Sequence, residues 1–160
     1  MKISIRRAKN DDLDAVLSLY YDTVKIINSK HYTPEQIEAW LDDDTRPERF
    51  LQKINEQLFY VCINELDELL GFSSITKDGY LDLLYASTTH QRNGVGTLLL
   101  EQMLVASKIY KFEKIDANVS TTAVPFFLSK GFEVKNEEVA ERNGVKLTYF
   151  KMIKHYVVKE

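Results

Sequence analysis

The sequence predicts a mixed α/β (α+β) domain, and three observations predict it. Runs of apolar residues with a period of two alternate with runs at helical spacing, in the order β-αα(α)-βββ-α-β-α-ββ. Tight-turn dipeptides, Asp78-Gly79 and Asn143-Gly144, stand between strand-like runs as hairpin signals. A chain of 160 residues is long enough to bury its own core and short enough to be one domain. No repeat, low-complexity segment or linker interrupts it, so residues 1–160 read as a single unit.

Ile3 and Ile5 alternate with polar neighbours, which predicts a first strand over about residues 2–8. Asn10-Asp11-Asp12 then offers a helix start with acidic residues in the first turn. Leu13, Val16, Leu17, Tyr20, Val24 and Ile27 extend that helix over roughly residues 11–29. A second start signal is stronger: Thr33 as N-cap, Pro34 at the first helical position and Gln36 as capping-box partner. Asp42-Asp43-Asp44 ends this helix, and Arg46-Pro47-Glu48 opens another short one. Three consecutive aspartates point in different directions, so the triplet reads as a solvated loop rather than a metal site. Phe59–Ile63 and Leu69–Thr76 are β-rich runs joined by a polar turn, and Asp78-Gly79 leads into a strand over Tyr80–Ala86. A long helix over about residues 95–110 follows. A strand (Ile115–Val119), a short helix (about Thr122–Lys130) and a closing hairpin (Phe132–Arg142 with Val145–Lys154) complete the chain.

Composition excludes several classes. A net charge of −3 with no basic run gives nucleic acid nothing to bind, and no apolar run is long enough to span a bilayer. The N-terminus alternates instead of running apolar, so it reads as a strand and not a signal peptide. One cysteine, Cys62, excludes an internal disulfide and a cysteine-rich zinc site, and its apolar strand makes it packing. His90 and His155 have no partner set that suggests a metal. A cytoplasmic protein without a metal is the expectation.

The segment Gln91-Arg92-Asn93-Gly94-Val95-Gly96 carries the function. A glycine-bearing turn that opens a helix presents several backbone N–H groups at the positive end of the helix dipole, a ready site for a pyrophosphate. A Walker loop would need Gly-Lys-Ser/Thr, whereas Gly96 is followed by Thr97-Leu98. A dinucleotide fingerprint would need a third glycine where Leu99 stands. The stretch from Leu83 to Leu99 instead resembles the acetyl-coenzyme A motif of the GCN5-related N-acetyltransferases (GNAT), in which Gln-x-x-Gly-x-Gly follows an apolar strand and opens a helix. Ala123-x-x-Phe126-Phe127-x-x-x-Gly131-Phe132 is similar to that family's Ala-x-x-Phe-Tyr-x-x-x-Gly-Phe. The segment His31–Trp40 and the Pro125-Phe126-Phe127 triplet are similar to a bacterial subgroup whose substrates are mostly unassigned. The resemblance implies a central mixed, mostly antiparallel sheet of about seven strands flanked by helices. It also implies acetyl-coenzyme A (acetyl-CoA) as acetyl donor and a primary amine of a small molecule or peptide as acceptor, joined by direct attack in a ternary complex.

By the same resemblance, the backbone of Gln91, Arg92, Asn93, Gly94, Val95, Gly96 and Thr97 holds the pyrophosphate, with Arg92 adding a guanidinium fork. Leu84, Tyr85 and Ala86 pair with the pantetheine arm like an added strand. Ser120 and Phe127 stand beside them. An alkyl ammonium has a pKa near ~10 and must shed a proton before it attacks. Asp82 is the leading candidate for the base, placed by strand alternation on one face with Leu84 and Ala86, opposite Leu81, Leu83 and Tyr85. A carboxylate in an apolar strand is otherwise structural, solvated or paired. His31 is a second candidate base, set against a plain surface loop histidine. Phe127 occupies the place of the family's tyrosine and donates no proton. The thiolate then leaves unassisted, or Ser120, Tyr85 or Tyr149 serves, or the protein is a non-catalytic acetyl-CoA-binding sensor. Trp40 is core or substrate platform, and the Tyr149-Phe150 strand is the candidate homodimer element.

Overall fold

The computed structural model describes residues 2–90 and 94–155. Seven strands, β1 (Ile3–Arg7), β2 (Leu58–Asn64), β3 (Leu69–Ile75), β4 (Tyr80–Ala86), β5 (Lys114–Ser120), β6 (Glu133–Arg142) and β7 (Val145–His155), form one sheet in the order β1-β2-β3-β4-β5-β7-β6. Every neighbouring pair is antiparallel except β4 and β5. Helices α1 (Leu13–Ile26), α2 (Pro34–Asp44) and α3 (Pro47–Glu56) cover one face, packing Val16, Tyr20, Phe50 and Ile54 on Phe59, Val61, Phe72 and Leu83. Helices α4 (Val95–Ile109) and α5 (Val124–Ser129) cover the other, where Leu100, Met103 and Phe127 meet Leu81, Ile115 and Ala117. Burying apolar side chains on both faces at about 25 cal/mol per Å² is what holds the layers together.

Local chemistry sets the ends of these elements. The α2 start forms its full capping box: Gln36 N donates to Thr33 Oγ1 at 3.1 Å and Thr33 N donates to Gln36 Oε1 at 2.9 Å. Arg6 forks onto Asp12 at 2.8 and 2.9 Å and ties the start of α1 to β1. The two-residue turn Asn143-Gly144 joins β6 to β7, both residues at positive φ. The first helix is shorter than its apolar spacing predicts. It begins with a 3-10 turn at Asn10–Asp12, runs from Leu13 to Ile26, and yields to a second 3-10 turn at Asn28–Lys30. The cause is tertiary: buried Asn28 donates through Nδ2 to Ser120 Oγ at 3.1 Å, drawing the chain off the helix axis toward β5.

The strand β7 lies inside the sheet, between β5 and β6, so Tyr149-Phe150 stands at no edge through which a second copy could pair. The sheet edges are β1 and β6.

Candidate active site

Parallel β4 and β5 pair only at Tyr80–Asp116 and Leu81–Ala117, then diverge. The fork between them opens two clefts. One, of about 450 Å³, runs along β4 to the start of α4 and is lined by Leu84, Tyr85, Ala86, Gly94, Gly96, Thr97, Ser120 and Phe127, among others. The other, of about 460 Å³, lies on the α1–α3 side and is walled by Tyr20, Tyr32, Trp40, Phe50, Tyr80 and Tyr149 with Arg49, Lys53 and Arg142. Asp82, Tyr85, Asn118 and Ser120 line both.

The first cleft gathers the residues expected to hold the donor. Gly94 caps α4 at φ 81°, a left-handed conformation that side chains disfavour, and the helix starts without a side-chain cap. The N-terminal amides of α4 therefore open toward the cleft, as an anion site requires. This approach depends on Gly71 of β3, where a Cβ would lie 2.7 Å from Tyr85 O, 2.8 Å from Val95 Cγ1 and 2.9 Å from Leu99 Cδ1. Val95 itself is buried in the core beneath the turn, leaving only its backbone for a ligand. Gln91, Arg92 and Asn93 lie outside the described residues. The residues present fit a pyrophosphate with an extended arm: helix amides at one end of the cleft, β4 along its length. Phe127 is buried, with Phe126 and Phe132 edge-on to its ring at 5.7 and 5.0 Å. It contributes surface and no proton.

Asp82 sits where the fork begins. Simple alternation along β4 fails here. Ser74 pairs with Leu83 but Ile75 pairs with Leu81, so β4 carries one extra residue at Asp82, a β-bulge. Leu81 consequently packs on the α4 side, whereas Leu83 and Tyr85 pack on the α1–α3 side. Asp82 is turned away from Leu84 and Ala86, and its carboxylate meets α3 instead. Oδ2 accepts from Gln57 Nε2 at 2.9 Å and faces Lys53 Nζ at 2.9 Å. The Asp82 side chain is 17 % exposed, enough shielding to strengthen that pair over a surface one.

Tyr80 stands beside Asp82 in the second cleft. Burial, with the negative charge of Asp82 behind it, pushes its phenol up to about 12, against hydrogen bonds with Asn118 that favour ionisation. The hydroxyl thus keeps its proton at any physiological pH. Ser120 Oγ accepts from Asn28 Nδ2 at 3.1 Å and from Ala123 N at 3.3 Å, a capping role that still leaves it facing both clefts. Trp40 does two things: its Nε1 donates to Tyr20 OH at 2.8 Å while its ring lines the second cleft. His31 lines neither cleft. Its Nδ1 lies 2.9 Å from Thr122 Oγ1, fastening the α1–α2 connection to the β5–α5 turn. Cys62 is fully buried, and burial pushes its thiol up, so it stays a neutral packing group.

Sequence reasoning missed Lys53, Gln57, Tyr80 and Asn118. A signal existed for Asn118, because Asp116, Asn118 and Ser120 form the polar alternate set of β5 opposite Ile115, Ala117 and Val119. None existed for Lys53, which reads as an ordinary helix lysine until α3 is packed on the sheet.

A forked seven-stranded mixed sheet, with a glycine-capped helix opening into the fork, defines the GNAT class of fold. Residues 28–154 match the family model described as the acetyltransferase (GNAT) domain, and the chain belongs to that family. YafP of Escherichia coli strain K12, described as an uncharacterized N-acetyltransferase, is 27 % identical over 150 residues that cover 94 % of each chain. The GCN5-related N-acetyltransferase of Rhodopseudomonas palustris superposes with a TM-score of 0.91 at 20 % identity, covering 98 % of this chain and 97 % of that one. PaiA N-acetyltransferase of Thermoplasma acidophilum, solved in complex with coenzyme A, gives 0.82 at 23 % identity over 98 % and 100 %.

Proposed function

We propose that this single domain, acting in the cytoplasm, transfers an acetyl group from acetyl-CoA to a primary amine of a small molecule or peptide, without a metal, by direct attack in a ternary complex. The supporting observation is the junction of the two clefts at Asp82, Tyr85, Asn118 and Ser120. Two substrates approaching from opposite faces of the sheet meet only there. The α4 amides and β4 hold the donor, and the aromatic cleft under α1–α3 takes the acceptor.

In this reading Asp82 receives the proton that the acceptor ammonium must lose, whose pKa lies near ~10. Both of its bonds fall on Oδ2, and among the described residues Oδ1 carries none, so it keeps its lone pairs for an incoming N–H. His31, outside both clefts, is a structural tie and not the base. Phe127 gives the leaving thiolate no proton. Tyr85 and Ser120 are the hydroxyls that line both clefts, and the thiolate of coenzyme A also leaves adequately unassisted.

The test follows free thiol release from acetyl-CoA across a panel of amines, polyamines, amino acids and peptides. Amine-dependent release with formation of the matching amide supports transfer. Phe127 favours the second reading, a non-catalytic sensor. Tight acetyl-CoA binding with no release on any amine would establish that reading instead.

A further inference from the structure

Among the described residues, Lys53 is the only lysine that lines either cleft. Its Nζ lies 2.9 Å from Asp82 Oδ2, its side chain is 33 % exposed, and Nζ also stands 5.8 Å from the centre of the Phe50 ring. An ammonium placed on Asp82 at the mouth of the donor cleft is what the proposed reaction requires of its acceptor. The chain supplies one of its own. We infer that Lys53 is an internal acceptor, a site at which the protein acetylates itself. The inference rests on the two-cleft reading given above.

The chemistry balances with no reactant beyond acetyl-CoA. Asp82 takes a proton from the Lys53 ammonium, and the Nζ lone pair attacks the thioester carbonyl carbon. A C–N bond forms, the C–S bond breaks, and coenzyme A leaves with the sulfur electron pair and picks up a proton. The products are an N-acetyl-lysine and the free thiol. Lys53 is anchored on α3 through Phe50 and Ile54, both buried, so its amine is held beside Asp82, one of the residues common to both clefts, at a high local concentration. A purely structural ion pair would put the same two atoms together, but it would give Lys53 no reactivity beyond that of exposed lysines. Once acetylated, Lys53 carries no charge. Asp82 loses its cation and is left to an external acceptor.

The experiment incubates the full chain with acetyl-CoA at neutral pH and no added amine, then quantifies acetylation at each lysine by peptide mass spectrometry. Lys53 is expected to gain one acetyl group at least about tenfold faster than exposed Lys135 and Lys146, as proximity predicts. Its rate should not depend on protein concentration, because donor and acceptor share one molecule. Asp82→Asn, checked for an unchanged fold by thermal melting, should bring Lys53 down to the exposed lysines while leaving those unaffected. Labelling of Lys53 no faster than Lys135 and Lys146 overturns the proposal, and so does a rate that rises with protein concentration. Thiol release with external amines by the parent protein separates the two ideas. If that release occurs while Lys53 stays unmodified, self-acetylation fails and the acetyltransferase reading stands.

Discussion

Gly71→Ala tests the link between the sheet and the donor cleft. The new methyl would stand 2.7 Å from Tyr85 O, 2.8 Å from Val95 Cγ1 and 2.9 Å from Leu99 Cδ1, all inside ordinary van der Waals contact. The two side-chain tips can rotate. Tyr85 O cannot, because it belongs to β4, held to β3 through Gly71–Ala86 and Phe72–Tyr85. Relief requires β4 and α4 to part, and overpacking of this kind costs about 1–3 kcal/mol. With a backbone atom among the clashes the upper part of that range applies, and for a domain of this size it lowers Tm by roughly 5–10 °C. The displaced atoms are those expected to grip the donor: β4 beside Tyr85, and the first turn of α4. Acetyl-CoA affinity should therefore fall about three- to tenfold, which is about 0.7–1.4 kcal/mol. Thermal melting and isothermal titration with acetyl-CoA measure the two effects. A Tm within about 1 °C of the parent protein, with unchanged affinity, would refute the claim that Gly71 sets the approach of α4 to β4.

Three further outcomes follow from the site. Asp82→Asn should lower kcat for amine acetylation about 10²–10⁴-fold and leave acetyl-CoA affinity nearly unchanged; a loss under about threefold removes Asp82 as base. Tyr32→Phe should cost about 1–3 kcal/mol in denaturant unfolding. The lost hydroxyl donates to Thr148 O at 2.6 Å and accepts from Thr121 N at 3.0 Å. Tyr80 makes stability fall with rising alkalinity: its neutral form is favoured in the fold, so the unfolded chain ionises first, from pH ~10, and the folded one near about 12. Tyr80→Phe should flatten that slope and shift stability by a constant amount below pH ~9, as read from urea midpoints against pH.

Where one local interaction decides an element, the sequence shows it. Thr33, Pro34 and Gln36 announce α2 because all the partners of the cap lie within four residues. Asn143-Gly144 announces the last hairpin because few other pairs accept two positive φ values in a row. The glycine-capped helix start is legible for the same reason, since Gly94, Gly96 and Thr97 lie together at the beginning of α4. Asp82 shows the limit. Its residue type marks it as unusual, but its direction depends on one extra residue in β4 relative to β3, and period-two reading contains no term for a bulge. Lys53 and Gln57 reach Asp82 only after α3 folds back on the sheet, a contact across more than twenty residues with no local trace. The first helix ends early on similar grounds, through Asn28 and Ser120 far apart in the chain. The sequence marks single residues of the second cleft, Trp40 and Tyr149, but not its wall, because it is assembled from α1, α2, α3, β4, β5, β6 and β7 together.

The fork between β4 and β5 also makes the sheet mechanically unequal. Two residue pairs join the block β1–β4 to the block β5–β7. Side-chain straps from the segment after α1 add to them: Asn28 to Ser120, His31 to Thr122, Tyr32 to Thr121 and Thr148, and Gln36 to Lys146 O. A donor lying in the fork would bridge the two blocks along the stretch where β4 and β5 no longer pair. Its binding energy would then be spent partly on stiffening a seam, and the shape of the acceptor cleft, built across that seam, would be set only when the donor is in place. Order of substrate addition would thus be a property of the sheet as much as of either pocket.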